Sequence, residues 1–302
     1  MAKLNFLQLW KLCYLTPSKL GGRWGKKKFQ LLFLLRSIMS PIQTTKYLYV
    51  ISEFDFLSQL IPVNNILPSK IHRPYLHKNF NLKRRSKCII EHYSFVNHLS
   101  FENPLRTPYK NFLLFEKNMA NDVKLDVTLT PCPFDREGEL ALNVIFNETV
   151  FARISFSFIL YEKEMVIFIG GVQGPKKGVD KNCIKHVTKL CHGLFPKRVA
   201  YEYIMKIANI CHINKILAVN EDCHVYRQIR YRNKKEKSFL ASYSSFWNSI
   251  NGLKNECGLY ELPVNVNRKN IELIPSKKRS EYKKRFILLD EFTSNLNFIE
   301  MK

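Results

Sequence analysis

Between residues 123 and 172 apolar side chains recur with a period of two, and no other feature restricts the fold so tightly. Val123, Leu125, Val127 and Leu129 alternate with Lys124, Asp126 and Thr128, the pattern of a strand with one face in a core. Three more apolar runs follow: Leu140–Phe146, Phe151–Tyr161 and Met165–Val172. The stretches between them, Pro131–Gly138, Asn147-Glu148 and Glu162–Glu164, read as turns. Connections this short join antiparallel neighbours, because a parallel return needs about a dozen residues or more. The expectation is a four-strand antiparallel meander.

The period changes on either side. Up to about residue 120 helical segments are broken by seven prolines, from Pro17 to Pro108, and Phe54–Ile61 reads as a short helix stopping at Pro62. His72–Tyr75 and Leu82–Arg85 read as basic connecting turns, and Cys88–Leu99 has near-helical spacing. After the meander, Asp180 or Asn182 can cap a helix to about Cys191, and Pro196 suits the first turn of a second helix to Cys211. Lys215–Val219 is a short apolar strand. Coming after a helix, it is expected to lie parallel to the fourth strand. A helix at 243–250, a strand at 258–262 and a last helix at 281–292 complete an α+β chain. It divides into a basic helical lobe (1–120), an α+β core (121–265) and a basic C-terminal segment (266–302).

Charge follows the same division. The formal net charge is +23, of which residues 1–120 carry +14, with 19 basic and 5 acidic side chains. Such a surface attracts phosphate, whether of nucleic acid, lipid headgroups or an anionic carrier. A solvated lysine-rich face explains the same count. With 46% hydrophobic and 24% charged residues, the composition excludes collagen-like and disordered chains. Eight cysteines without a CxxC pair fit reduced thiols better than a disulfide framework or a zinc site. The start lacks a signal-like apolar run with a cleavage site, so a cytoplasmic location is expected. Phe29–Leu35 is apolar but too short to span a bilayer. Beside Lys26, Lys27 and Lys28 it reads either as a buried helix with a basic cap or as a peripheral contact at the inner membrane face.

Phe168-Ile-Gly-Gly-Val-Gln-Gly-Pro175 ends the fourth strand with three glycines in five residues. They permit either a ligand-approaching loop or a bulge and corner. Gly170, Gly171, Gln173 and Gly174, with Lys176 and Lys177, form the first candidate anion site, and Lys197 and Arg198 at the next helix start form a second. His192 and His224 are candidate bases, since histidine titrates near neutrality.

The order of elements is similar to that of the GNAT acyltransferases. That resemblance implies a cofactor pyrophosphate at the loop after the fourth strand, and a later tyrosine, here Tyr226 or Tyr231, that protonates a departing thiolate. It points to acyl-CoA or an acyl-carrier protein as donor. The spacing of Gln173-Gly174-Pro175-Lys176-Lys177-Gly178 departs from the GNAT signature, and an additional helix precedes Pro196. A closer resemblance, to the VirK/YbjX family of Gram-negative bacteria, rests on FIGGVQGP (168–175), CHGLFPKR (191–198), KILAVNEDCHVYRQ (215–228), YSSFWNSINGL (243–253), GLYELP (258–263) and RSEYKKRFILLDEF (279–292). It implies a part in virulence, envelope remodelling and tolerance of antimicrobial peptides.

Two functions follow as expectations: acyl transfer to an envelope component or a protein, or non-catalytic binding of an anionic membrane surface or partner. Nucleic-acid binding ranks third. Basic and aromatic residues interleave at 224–239, but no recognition motif accompanies them.

Overall fold

The computed structural model describes residues 3–99, 103–176, 178–227, 243–266 and 268–294. The alternating runs form the strands they predict: β2 (Lys124–Pro131), β3 (Leu140–Phe146), β4 (Thr149–Tyr161) and β5 (Glu164–Gln173), each antiparallel to the next. Asn147-Glu148 and Glu162-Lys163 all have positive φ, which matches the twist of two-residue hairpins. Neither edge strand of the sheet was expected. β1 (Phe112–Asn118) pairs with β2, and a register shift between Leu113 and Phe115 turns both Leu114 and Phe115 inward. That shift breaks the alternation by which a strand is recognised.

β6 (Ile216–Ala218) pairs with β5 in parallel, Phe168 opposite Leu217. This parallel return runs through α6 (Lys181–Leu190), capped by Asp180, and α7 (Pro196–Ile210), which starts on its proline. The hairpin β7 (Leu253–Lys254) and β8 (Tyr260–Leu262) extends the sheet to the order β1-β2-β3-β4-β5-β6-β8-β7. The fold is α+β, with a mostly antiparallel eight-strand sheet.

The central strands are buried on both faces. Two helices meet β4: α7, and α5 (Leu82–Asn97), which stacks His92 and Phe95 on Phe158. A fully buried phenylalanine such as Phe156 or Phe168 contributes about 1.5–3 kcal/mol. α3 (Pro41–Ser52) packs on α5, and α1 (Phe6–Tyr14) and α2 (Lys27–Met39) pack on α3; α4 (Leu57–Val63) follows α3 in the chain. Pro62 falls inside α4 rather than after it. So near the C-terminus its missing N–H breaks one intrahelical bond without ending the last turn. Leu82–Arg85, read as a turn, is the first turn of α5, where Asn81 accepts from the Arg84 amide.

The other basic turn is a larger correction. Lys70, His72, Arg73 and Tyr75 are buried. Lys70 Nζ lies 2.6 Å from Glu139 Oε1, both side chains being almost wholly covered. Tyr93 Oη donates to the other carboxylate oxygen at 2.6 Å, and the Tyr75 ring lies 4.8 Å from the ammonium. Two ions taken out of water are tolerated because each finds several partners. These contacts tie the helical lobe to the β2–β3 loop.

α8 (Tyr243–Ser249) places the fully buried Trp247 against β6, its indole N–H donating to Val219 O at 2.9 Å. The last helix, α9 (Ser276–Ser294), is longer than expected and buries Phe292 against Phe115 and Tyr203.

Candidate functional site

The glycines of β5 explain the first part of the site. Ser155 pairs with Gly171 but Phe156 with Ile169, so Gly170 is the extra residue of a bulge. The β2–β3 loop crosses the strand at that point. A Cβ on Gly170 would lie 2.2 Å from Glu137 O, and one on Gly171 2.1 Å from Glu137 Oε2. Absence of side chains at both positions lets a carboxylate be buried against the sheet. Glu137 is only 2% exposed.

Around that carboxylate the chain assembles polar groups from three segments. Gln173, two residues beyond Gly171, donates its side-chain N–H to Glu137 Oε2. His224 Nε2 lies 3.4 Å from Glu137 Oε1. The Tyr226 amide donates to His224 Nδ1 at 3.3 Å, which makes Nδ1 the acceptor and puts the ring proton on Nε2, toward the carboxylate. The fully buried imidazole stands between Tyr226 and Tyr243, with ring centroids 5.0 and 5.5 Å away. Burial, and then the charge of Glu137, pushes the Tyr226 hydroxyl up to about 12. The same causes in the same order raise Tyr243 far above the usual range. Both phenols therefore stay protonated at neutral pH. Arg136 lies 5.9 Å over the Tyr226 ring, and Arg73 pairs with Asp135 beside it.

Gln173 is followed by Gly174, where a cavity of about 970 Å³ begins. Its floor is α7 and the turn before it, and α8 and α9 supply walls. Phe151, Leu194, Met205, Phe246, Phe286 and Leu289 make much of the lining apolar. Against them stand six cations, Lys197, Arg198, Lys206, Arg268, Lys269 and Arg285, and one lining carboxylate, Glu202. Arg198 pairs with Glu202 at 2.6 Å, Arg268 with Asp290 at 2.5 Å and Arg285 with Glu281 at 3.5 Å.

Lys197 has no ion-pair or hydrogen-bond partner among the described residues, and its ammonium lies 5.7 Å from the Phe246 ring. Burial lowers its pKa, as it lowers that of Lys206 to about 8. No side chain caps α7, so the positive end of that helix and Lys197 share one side of the cavity. A Cβ on Gly174 would meet only Lys197 Cε, at 3.8 Å.

The residues singled out from sequence thus fall into groups. Gly170, Gly171, Gln173, His224 and Tyr226 gather about Glu137. Gly174, Lys197 and Arg198 line the cavity. His192 stands apart from His224, in the α6–α7 turn, where its carbonyl accepts from Arg285 Nε at 2.7 Å and burial lowers its pKa. Lys176 is exposed, and Lys177, Tyr231 and the basic run from Arg230 to Lys237 lie outside the described residues. Glu137, Tyr243, Lys206, Arg268 and Arg285 were not anticipated. A signal existed for Glu137, since Asp135-Arg-Glu-Gly-Glu139 sets three carboxylates directly before an apolar strand.

The comparisons with known proteins agree with one another. A family model described as "Protein of unknown function (DUF535)" matches residues 22–297. "Uncharacterized protein YbjX" of Escherichia coli (strain K12) is 33% identical over 275 residues, covering 89% of this chain and 83% of that protein. Two "Uncharacterized protein" relatives from Haemophilus influenzae (strain ATCC 51907 / DSM 11121 / KW20 / Rd) also match. One is 26% identical over 85% of this chain and 84% of its own length, the other 28% over 59% and 58%. The chain belongs to the VirK/YbjX family, which the DUF535 model describes.

Proposed function

We propose, taking that membership as the premise, that this protein is an acyltransferase that takes an acyl thioester, on coenzyme A or an acyl-carrier protein, and acylates an envelope component or a protein. The observation that carries the reading is the cavity beside Gly174. Its volume of about 970 Å³ suits a large ligand. Its aromatic and aliphatic lining suits an acyl chain, and Lys197 beside the start of α7 suits a phosphate.

In the reaction the acceptor's nitrogen or oxygen bonds to the acyl carbon and the C–S bond breaks. Tyr226 gives its proton to the departing thiolate and regains one from the acceptor. Glu137 and His224 position Tyr226 through the His224 ring. The part in virulence and antimicrobial-peptide tolerance that the family resemblance implies is placed downstream of that acylation.

The complete burial of His224 favours a second reading, in which the cavity holds its ligand without turnover. One experiment separates the two. Thermal unfolding is followed with coenzyme A and with acyl-CoA of increasing chain length, and thiol release is measured alongside. The expected result is stabilisation that grows with chain length, approaching about 2.7 kcal/mol at a hundredfold excess over Kd, with slow thiol release that Tyr226→Phe abolishes. Stabilisation without thiol release leaves only the binding role. No stabilisation by any acyl-CoA or acyl-carrier protein removes both.

A further inference from the structure

The surface of α1–α3 carries a second, independent feature. α2 buries Phe33 and Ser37, yet exposes Leu31, Leu34, Leu35 and Ile38 at spacings of i, i+3, i+4 and i+7. A helix apolar on two sides needs two covers, and the described chain supplies one. The ridge continues at the α2–α3 corner, where Met39 is 82% and Ile42 83% exposed, and along α3 to Tyr49. α1 adds Leu7 and Trp10. Tyr14 meets Phe33 at 5.3 Å and Phe6 meets Tyr49 at 5.8 Å, which sets α1 beside both neighbours.

Charge decides what covers this ridge. The first 52 residues hold nine Lys or Arg and no Asp or Glu. Lys11, Lys19, Arg23, Lys26, Lys27 and Lys28 are exposed. A second copy docked ridge to ridge would bring two such cationic faces together, which is unfavourable for a self-complementary contact. A partner with an apolar interior under an anionic skin satisfies both features. Among the described residues no helix is long and apolar enough to cross a membrane, so contact lies in the plane of the interface.

We propose that the α1–α3 face docks this protein on an anionic lipid bilayer, with the α2 ridge inserted at the headgroup level and Lys26–Lys28 on the phosphates. Trp10 sits at the margin of the ridge, the depth at which an indole is favoured.

Flotation of the full chain tests it, with phosphatidylglycerol–phosphatidylcholine vesicles compared with phosphatidylcholine alone. Trp24 and Trp247 are fully buried and Trp10 is 38% exposed, so a blue shift in emission reports Trp10 entering lipid. Expected are binding to the anionic vesicles only, weakening between about 0.1 and 0.5 M salt, and the blue shift. Lys27→Ala and Lys28→Ala each cost about fivefold in vesicle affinity. Leu34→Asp with Ile38→Asp costs at least about tenfold at an unchanged melting temperature. Leu273→Asp, at a more exposed leucine far along the chain, leaves binding as it was. Equal binding to both vesicles, full binding by the Leu34/Ile38 variant, or self-association through the ridge without flotation overturns the proposal.

Discussion

Two glycines three residues apart do opposite things. At Gly171 the space a methyl group would need is already filled by Glu137 Oε2, 2.1 Å away. At Gly174 the same methyl would stand in the cavity with its nearest neighbour at 3.8 Å. Gly171→Ala is therefore expected to lower stability by about 1–3 kcal/mol, as overpacked positions do. Gly174→Ala is expected to stay within about 0.5 kcal/mol of the parent. Denaturant unfolding of the two variants checks the contrast, and the reverse order would contradict the assignment of Glu137 to its glycine niche. The motif FIGGVQGP announced close approach to the backbone. It gave no hint that residues some 35 positions upstream make that approach. For the same reason His72 and Arg73 looked like a connecting turn: their partners Thr44 and Asp135 are distant in sequence.

At the level of elements, what was readable had a local cause. Alternation marked β2 to β5, Pro196 marked the start of α7, and an apolar run after a helix marked β6 as parallel. What was not readable depends on pairing. β1 hides behind its register shift, and α9 belongs to the site only because it closes one wall of the cavity. Its anchor is Phe292, fully buried, with ring centroids 4.8 Å from Phe115 and 5.2 Å from Tyr203. Phe292→Ala should cost about 3–5 kcal/mol. Hydrogen exchange should then show α9 opening more readily, whereas unchanged protection of α9 would mean that the helix is held by other contacts.

The whole molecule joins a basic helical lobe to the sheet through buried polar groups, and this makes its stability depend on pH. Burial lowers His72 and His77 to about 4 and His92 to about 3, each with a smaller contribution from nearby cations. In the unfolded chain these rings protonate near the ordinary histidine value, about 6.5. As pH falls from about 6.5 toward 4 the unfolded state binds protons that the folded state refuses, so stability decreases through that window and is fully present above it. His92→Gln should flatten the slope by about one proton; an unchanged slope would mean that His92 takes up its proton while folded.

The charge excess so evident in the sequence divides between an outer face and a cavity, and the cavity encloses its cations with an apolar lining. Its capacity for an anionic acyl ligand is the central claim. Calorimetric titration with a long-chain acyl-CoA measures it directly. The account requires one saturable site with a negative heat-capacity change, weakened by salt and lost in Lys197→Glu. Absence of saturable heat, or a Lys197→Glu variant that binds as tightly as its parent, would contradict it.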